Sequence, residues 1–215
     1  ALENGTYKVK LQLADNAGNE TEKEWTFKVS DVARNLYFGQ LHSHTNLSDG
    51  AGSIDDAYTH ARENAKVDFL AVTDHSNSFD NDTQANIADG SMSTKWQTGL
   101  NAADKYNEDH KFTAIYAYEM TWSAGTGKYG HMNTFNTEGF ETRTNSAMNL
   151  RNYYETLKTQ PQSISQFNHP GTTFGDFVDF GFYDEEIDEL ITLIEVGNGD
   201  GPIRSSAHFP SYEYY

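Results

Sequence analysis

The chain has 215 residues, no cysteine and a formal net charge of −17, from 32 acidic against 15 basic side chains. That length supports one sizeable core, or a large domain with an accessory piece; the charge excludes broad affinity for nucleic acid or anionic membranes. Without cysteine there is no thiolate nucleophile, zinc ribbon or disulfide, and no run of about 18 apolar residues is present to span a bilayer.

The first residues lack the basic and apolar regions of a signal peptide, and the chain opens as if cut from something longer. Residues 6–13 alternate, with Tyr7, Val9, Leu11 and Leu13 set against Thr6, Lys8, Lys10 and Gln12. Trp25, Phe27 and Val29 repeat the alternation after the turn-rich stretch Asp15-Asn-Ala-Gly-Asn19. The pattern predicts a β-hairpin over residues 1–30, which needs another surface to be stable. The phrase from Tyr7 to Asn19 resembles the last two strands of bacterial immunoglobulin-like modules from cell-surface proteins.

Residues 31–215 have a different texture, strand, loop and helix in turn. Leu41-His-Ser-His-Thr-Asn-Leu-Ser-Asp-Gly50 places His42 and His44 at i and i+2, so on a strand both imidazoles meet one point. Ser53-Ile-Asp-Asp56 has the spacing of a capping box and opens a helix through about residue 64. Residues 67–75 and 112–119 read as buried strands that end in Asp74-His75 and Glu119. Helices are predicted near residues 93–108 and 146–159, the latter closed by Pro161. His131 opens the run Met132 to Phe135 after the Gly125–Gly130 loop, residues 163–169 end in His169, and Glu195 ends another apolar strand. Strands alternating with helices predict parallel βα units, hence a barrel or a doubly wound sheet. Polar residues recurring where strands give out mark a site on the open face of such a sheet.

Imidazole and carboxylate without thiolate are ligands shared by zinc, manganese and iron, and the mixture is typical of hydrolytic sites. His42, His44, Asp49, His75, Glu119, His131 and His169 are the candidate metal ligands. Asp74, Glu119 and Glu195 are candidates for proton transfer or for orienting an imidazole. Tyr116, Tyr118 and Trp122 flank Glu119 as candidate pocket walls, and Lys128, in a glycine-rich loop expected to lie mobile over the site, could meet an anionic group. His60, His110 and His208 default to structural roles.

His42-Ser-His44 with Asp49, Thr73-Asp-His75, Glu119, His131 and Asn168-His-Pro-Gly171 resemble the successive motifs of the polymerase and histidinol phosphatase (PHP) superfamily of metal-dependent hydrolases, over about residues 36–200. The resemblance implies a distorted (β/α)7 barrel with two or three divalent cations at the C-terminal ends of its strands. Carried over, His42 and His44 would hold one metal, Glu119 would bridge it to a second on His131 and His169, and Asp49 and His75 would hold a third. The family's late Asp-x-His motif has no counterpart after Glu195, so an incomplete barrel is expected.

The expected activity is hydrolysis of a small-molecule phosphate ester by a metal-bound hydroxide. The alternatives are a carboxylic ester or amide hydrolase on the same centre, and a non-catalytic metal-containing surface module. The expected setting is extracellular or cell-envelope, alongside other domains of a longer chain, with neither nucleic acid nor membrane insertion.

Overall fold

In the computed structural model, residues 2–14, 18–30 and 35–198 are described, and the chain divides into two units, Ala1–Leu36 and Tyr37–Tyr215. In the first, β1 (Gly5–Ala14) and β2 (Glu20–Val29) pair antiparallel from Gly5 opposite Val29 to Ala14 opposite Glu20. Tyr7 stacks on Phe27 with ring centroids 5.4 Å apart, and Lys8–Glu24 and Lys10–Glu22 ion pairs occupy the opposite face. Cross-strand pairs of this kind set the register. The hairpin falls where alternation predicts it; residues 15–17 of its turn lie outside the described residues.

The second unit is built on one six-stranded sheet whose strands lie side by side in chain order. They are β3 (Gly39–Gln40), β4 (Phe69–His75), β5 (Thr113–Thr121), β6 (His131–Phe135), β7 (Ile164–Asn168) and β8 (Ile191–Ile194). β3, β4 and β5 run parallel, β6 is antiparallel to both its neighbours, and β7 and β8 are parallel again. The expected distorted (β/α)7 barrel is therefore corrected: among the described residues the sheet is mixed and strongly curled into a half-barrel. The reason is local. The loop from Trp122 to Gly130 returns the chain directly, with Trp122 N donating to Gly130 O, so β5 and β6 form a hairpin where a parallel barrel needs a helical crossover.

The helices are α1 (Ile54–Thr59), continued by a π-helical turn (His60–Ala65), α2 (Thr94–Tyr106), α3 (Leu150–Lys158) and α5 (Glu185–Leu190). A single turn, α4 (Phe177–Phe180), has four successive positive φ angles and is left-handed. Each start has its side-chain cap: the Ser53–Asp56 capping box, Ser93 for α2, Asn149 for α3 and Asp184 for α5.

Alternation along the strands sorts two cores. Outward-facing Val72, Tyr116, Tyr118, Met120 and Met132 pack with Tyr58, Trp96, Tyr153, Leu157 and Ile187 from the helices, each large side chain contributing about 1.5–3 kcal/mol on full burial. Approach is closest at Gly99, where a Cβ would lie 2.0 Å from the Tyr116 ring. The concave face carries Ala71, Ala117 and Phe135 with Leu41, Ile115 and Leu193. Small residues at the middle of that face leave room for the curl, and above them the lining turns polar.

Candidate metal centre

The polar rim begins where β3 stops. Only Gly39 and Gln40 pair as strand, so the expectation that His42 and His44 sit within one is corrected. The segment stays extended because Ser43 is pinned to β4: Thr73 N donates to Ser43 O (2.7 Å) and Ser43 Oγ to Ala71 O (2.7 Å). The imidazoles still converge, Nε2 to Nε2, at 3.3 Å. The following loop closes through Ser48 N and Gly50 N, both donating to Thr45 O. Gly50 is required there, since a Cβ would stand 2.3 Å from the His44 carbonyl. The loop turns Asp49 back so that its Oδ1 accepts from His44 Nδ1 at 2.8 Å.

Glu119 is the hub. Fully buried on the concave face of β5, its Oε1 lies 3.3 Å from His42 Nε2, 3.3 Å from His131 Nδ1 and 3.5 Å from His169 Nε2. Oε2 lies 3.1 Å from His44 Nε2 and 2.7 Å from His75 Nδ1. Sheet register explains the gathering: His75 is paired opposite Glu119 on β4, and Thr121 pairs with His131 across the β5–β6 hairpin. Because β6 runs antiparallel, its first residue reaches the same rim that β4, β5 and β7 reach with their last.

Supporting residues orient these groups. Asn168 Nδ2 donates to Glu119 Oε1 (2.8 Å) and to Asn133 Oδ1 (2.8 Å). Thr121 Oγ1 lies 2.7 Å from His75 Nδ1. Glu195 accepts from the His169 backbone N–H (2.8 Å) and from Asn198 (3.0 Å), and stands 3.3 Å from His42 Nδ1. His169 holds a positive φ of 30° directly before Pro170, a strained backbone that its Glu195 hydrogen bond helps to retain.

The side chains fall into four groups whose ligand atoms lie within 4.8 Å of one another: His42, His44 and Glu119; Glu119, His131 and His169; His44, Asp49 and His75; His42, His169 and Glu195. Each group has the imidazole and carboxylate donors, and the spacing, that a divalent cation needs. The structural test is Glu119 Oε2, which is buried and completes no hydrogen bond although two imidazole nitrogens stand within 3.1 Å. An orphaned carboxylate oxygen ringed by nitrogens is what a metal ligand looks like without its ion.

Charge tells the same story. Burial opposes the charged form of His42, yet Glu119 and Glu195 outweigh it and push its pKa up to about 10. Glu119, which burial would raise, is held well below the usual carboxylate range by His42 and the other imidazoles. Burial also works against an ionised Glu195, but its contact with His42 lowers it, and burial lowers His131. With its folded pKa raised from 6.5 to about 10, protonated His42 stabilises the metal-free fold fully below 6.5, and that contribution is lost as pH rises through about 10. Metal needs the neutral imidazole. Zinc uptake by the chelator-treated protein is therefore expected to release at least about one proton near pH 7.5 and to tighten with pH across this window. Calorimetric titration in buffers of different ionisation enthalpy measures it, and uptake without proton release would refute the assignment.

Asp74 is not in the pocket. Alternation along β4 sends it to the face opposite His75, where it accepts from Thr45 N (2.8 Å), Thr45 Oγ1 (2.8 Å) and Ser48 Oγ (2.6 Å). It anchors the ligand loop, and its proposed proton-transfer role is corrected to positioning. Tyr116 and Tyr118 likewise face the helices, whereas Trp122 and Lys128 line a cavity beside the centre. His60 and His110 stay outside the pocket and exposed; His208 lies outside the described residues. Sequence reasoning passed over Asn133 and Thr121, and gave Asn168 no role beyond its place in a motif. Their signal was present in the strand alternation that places them on Glu119's face.

Among comparisons with known proteins, a family model described as "Protein of unknown function (DUF3604)" matches residues 63–163. That stretch holds His75, Glu119 and His131; the other candidate ligands lie outside it. No curated protein matches the chain.

Proposed function

We propose that the protein is a metal-dependent hydrolase acting on phosphate esters. One observation carries this reading: a fully buried carboxylate, Glu119, stands within 2.7–3.5 Å of five imidazoles at the base of an open pocket. The described lining of that pocket, about 410 Å³, includes acidic, imidazole and small polar groups but no lysine or arginine. Bound cations, which displace the proton of His42, would supply the positive charge for an anionic reacting group.

Zinc, manganese or iron ions in these groups would supply an activated water and charge against the transferring phosphoryl group. The chain's own part is orientation. Asn168 fixes the carboxylate of Glu119, Thr121 fixes His75, and Asp74 holds the loop that presents His44 and Asp49. Glu195 receives the proton-bearing Nδ1 of His42, which directs Nε2 toward Glu119. Phe174, with its ring 4.8 Å from His131 and 4.6 Å from His169, covers one flank.

Parallel assays with an aryl phosphate and an aryl acetate, on protein reconstituted separately with zinc and manganese, test the proposal. Turnover of the phosphate that chelation abolishes and metal restores is expected. Turnover of the acetate alone would move the chemistry to acyl transfer. Full metal occupancy with neither activity would overturn the hydrolase reading in favour of a non-catalytic binding module.

A further inference from the structure

A second cavity, of about 600 Å³, adjoins the centre and shares Asp49, His75, His131 and Phe174 with its pocket. It is large enough for a drug-sized organic group. Its remaining walls differ in kind from the centre's. Trp122, almost wholly buried and held by Nε1 donating to Met148 O at 2.7 Å, forms a rigid apolar surface. Asn77 lines it and has a buried Oδ1 with no hydrogen-bond partner. Lys128 and Arg143 complete it.

Those two cations stand out in a chain of net charge −17. Several described basic side chains pair with carboxylates, as in Lys105–Asp55, Lys111–Glu108 and Lys158–Asp184, while Lys95 Nζ donates to the backbone oxygens of Leu47 and Ser78. Lys128 Nζ likewise donates to a backbone oxygen, Thr172 O, at 3.1 Å, but it does so on the wall of this cavity. Arg143 is half-buried, and among the described residues its guanidinium has neither hydrogen bond nor ion pair. A partly buried guanidinium with no partner among the described residues is suited to an anion, in a chain whose net charge of −17 otherwise works against anion binding. Neither cation lines the pocket of the centre itself, so they do not serve the group that faces the metal ligands.

We infer that this adjoining cavity is a specificity pocket for a second anionic group, a carboxylate, sulfate or phosphate carried on the part of the substrate that is not attacked, and that Arg143 and Lys128 bind it. Its role in turnover rests on the hydrolase reading; its affinity for an anion does not. Asn77 Oδ1 supplies an acceptor for a hydroxyl or amine donor on the same substrate arm. Arg143 offers a planar fork suited to a carboxylate or phosphate, and Lys128 adds a point charge at the exposed rim.

The test compares binding of 4-carboxybenzylphosphonate with 4-carbamoylbenzylphosphonate, in which a neutral amide replaces the carboxylate, to the zinc-reconstituted full chain by calorimetry. The wild-type protein is expected to prefer the carboxylate about tenfold, and Arg143→Gln to abolish that preference while binding the carbamoyl compound unchanged. Lys128→Gln is expected to weaken it in part. Equal binding of the two compounds by the wild-type protein, or binding of neither, overturns the inference. So does a preference that survives Arg143→Gln together with Lys128→Gln. Because no turnover is read, failure of the hydrolase reading shows separately, in the aryl phosphate assay.

Discussion

A Glu119→Gln protein is expected to purify folded, to retain at most about half of the wild-type metal and to lose at least about a hundredfold in turnover. The substitution is isosteric, so the concave face stays filled. What changes is charge and donor type. The single buried carboxylate that belongs to two ligand groups becomes a neutral amide, and an NH₂ is aimed at nitrogens that must accept a metal. In the metal-free protein the variant also removes a main reason for the raised pKa of His42, so proton release on zinc binding should fall in parallel. Elemental analysis, a thermal melt and the phosphate assay together decide the matter. Full metal content with full activity would show that Glu119 is not shared between ions.

Asp74→Ala should instead strike stability first. It leaves the buried N–H and hydroxyl of Thr45 and the hydroxyl of Ser48 without their acceptor, at a cost of about 3 kcal/mol. For a chain of this size that corresponds to a fall in Tm of roughly 6–12 °C. Metal bound by His44, Asp49 and His75 should be lost, and metal held by Glu119, His131 and His169 kept. A proton-transfer role predicts the reverse pattern, with turnover lost, melting temperature and metal content unchanged. Asp74→Asn, which keeps an acceptor oxygen, should lie between.

Much of the site was legible because ligand residues recur at strand ends, a pattern that survives errors in topology. His42, His44, Asp49, His75, Glu119, His131, His169 and Glu195 all reach one pocket or its immediate edge. Helix starts were legible for a related reason: Ser53, Ser93 and Asp56 carry local capping chemistry that tertiary context did not override. Sheet topology was not. The five residues of β6 look the same whether the chain enters from above or below, and α3, between β6 and β7, imitates a parallel crossover while joining antiparallel strands. Asp74 was misread because adjacency in sequence to His75 means opposite faces on a strand. Arg143 carried no motif at all; only the cavity around it gives it meaning.

His42 and Glu195 meet across 153 positions of chain, one just past the first strand of the curled sheet and the other just past its last. No nascent or partly folded form short of Glu195 can own this contact, since closing so long a loop yields nothing until both ends are placed. The candidate metal pocket is thus expected to be completed late in folding. On the function proposed above, metal capture would act as a clasp on a sheet that has already curled.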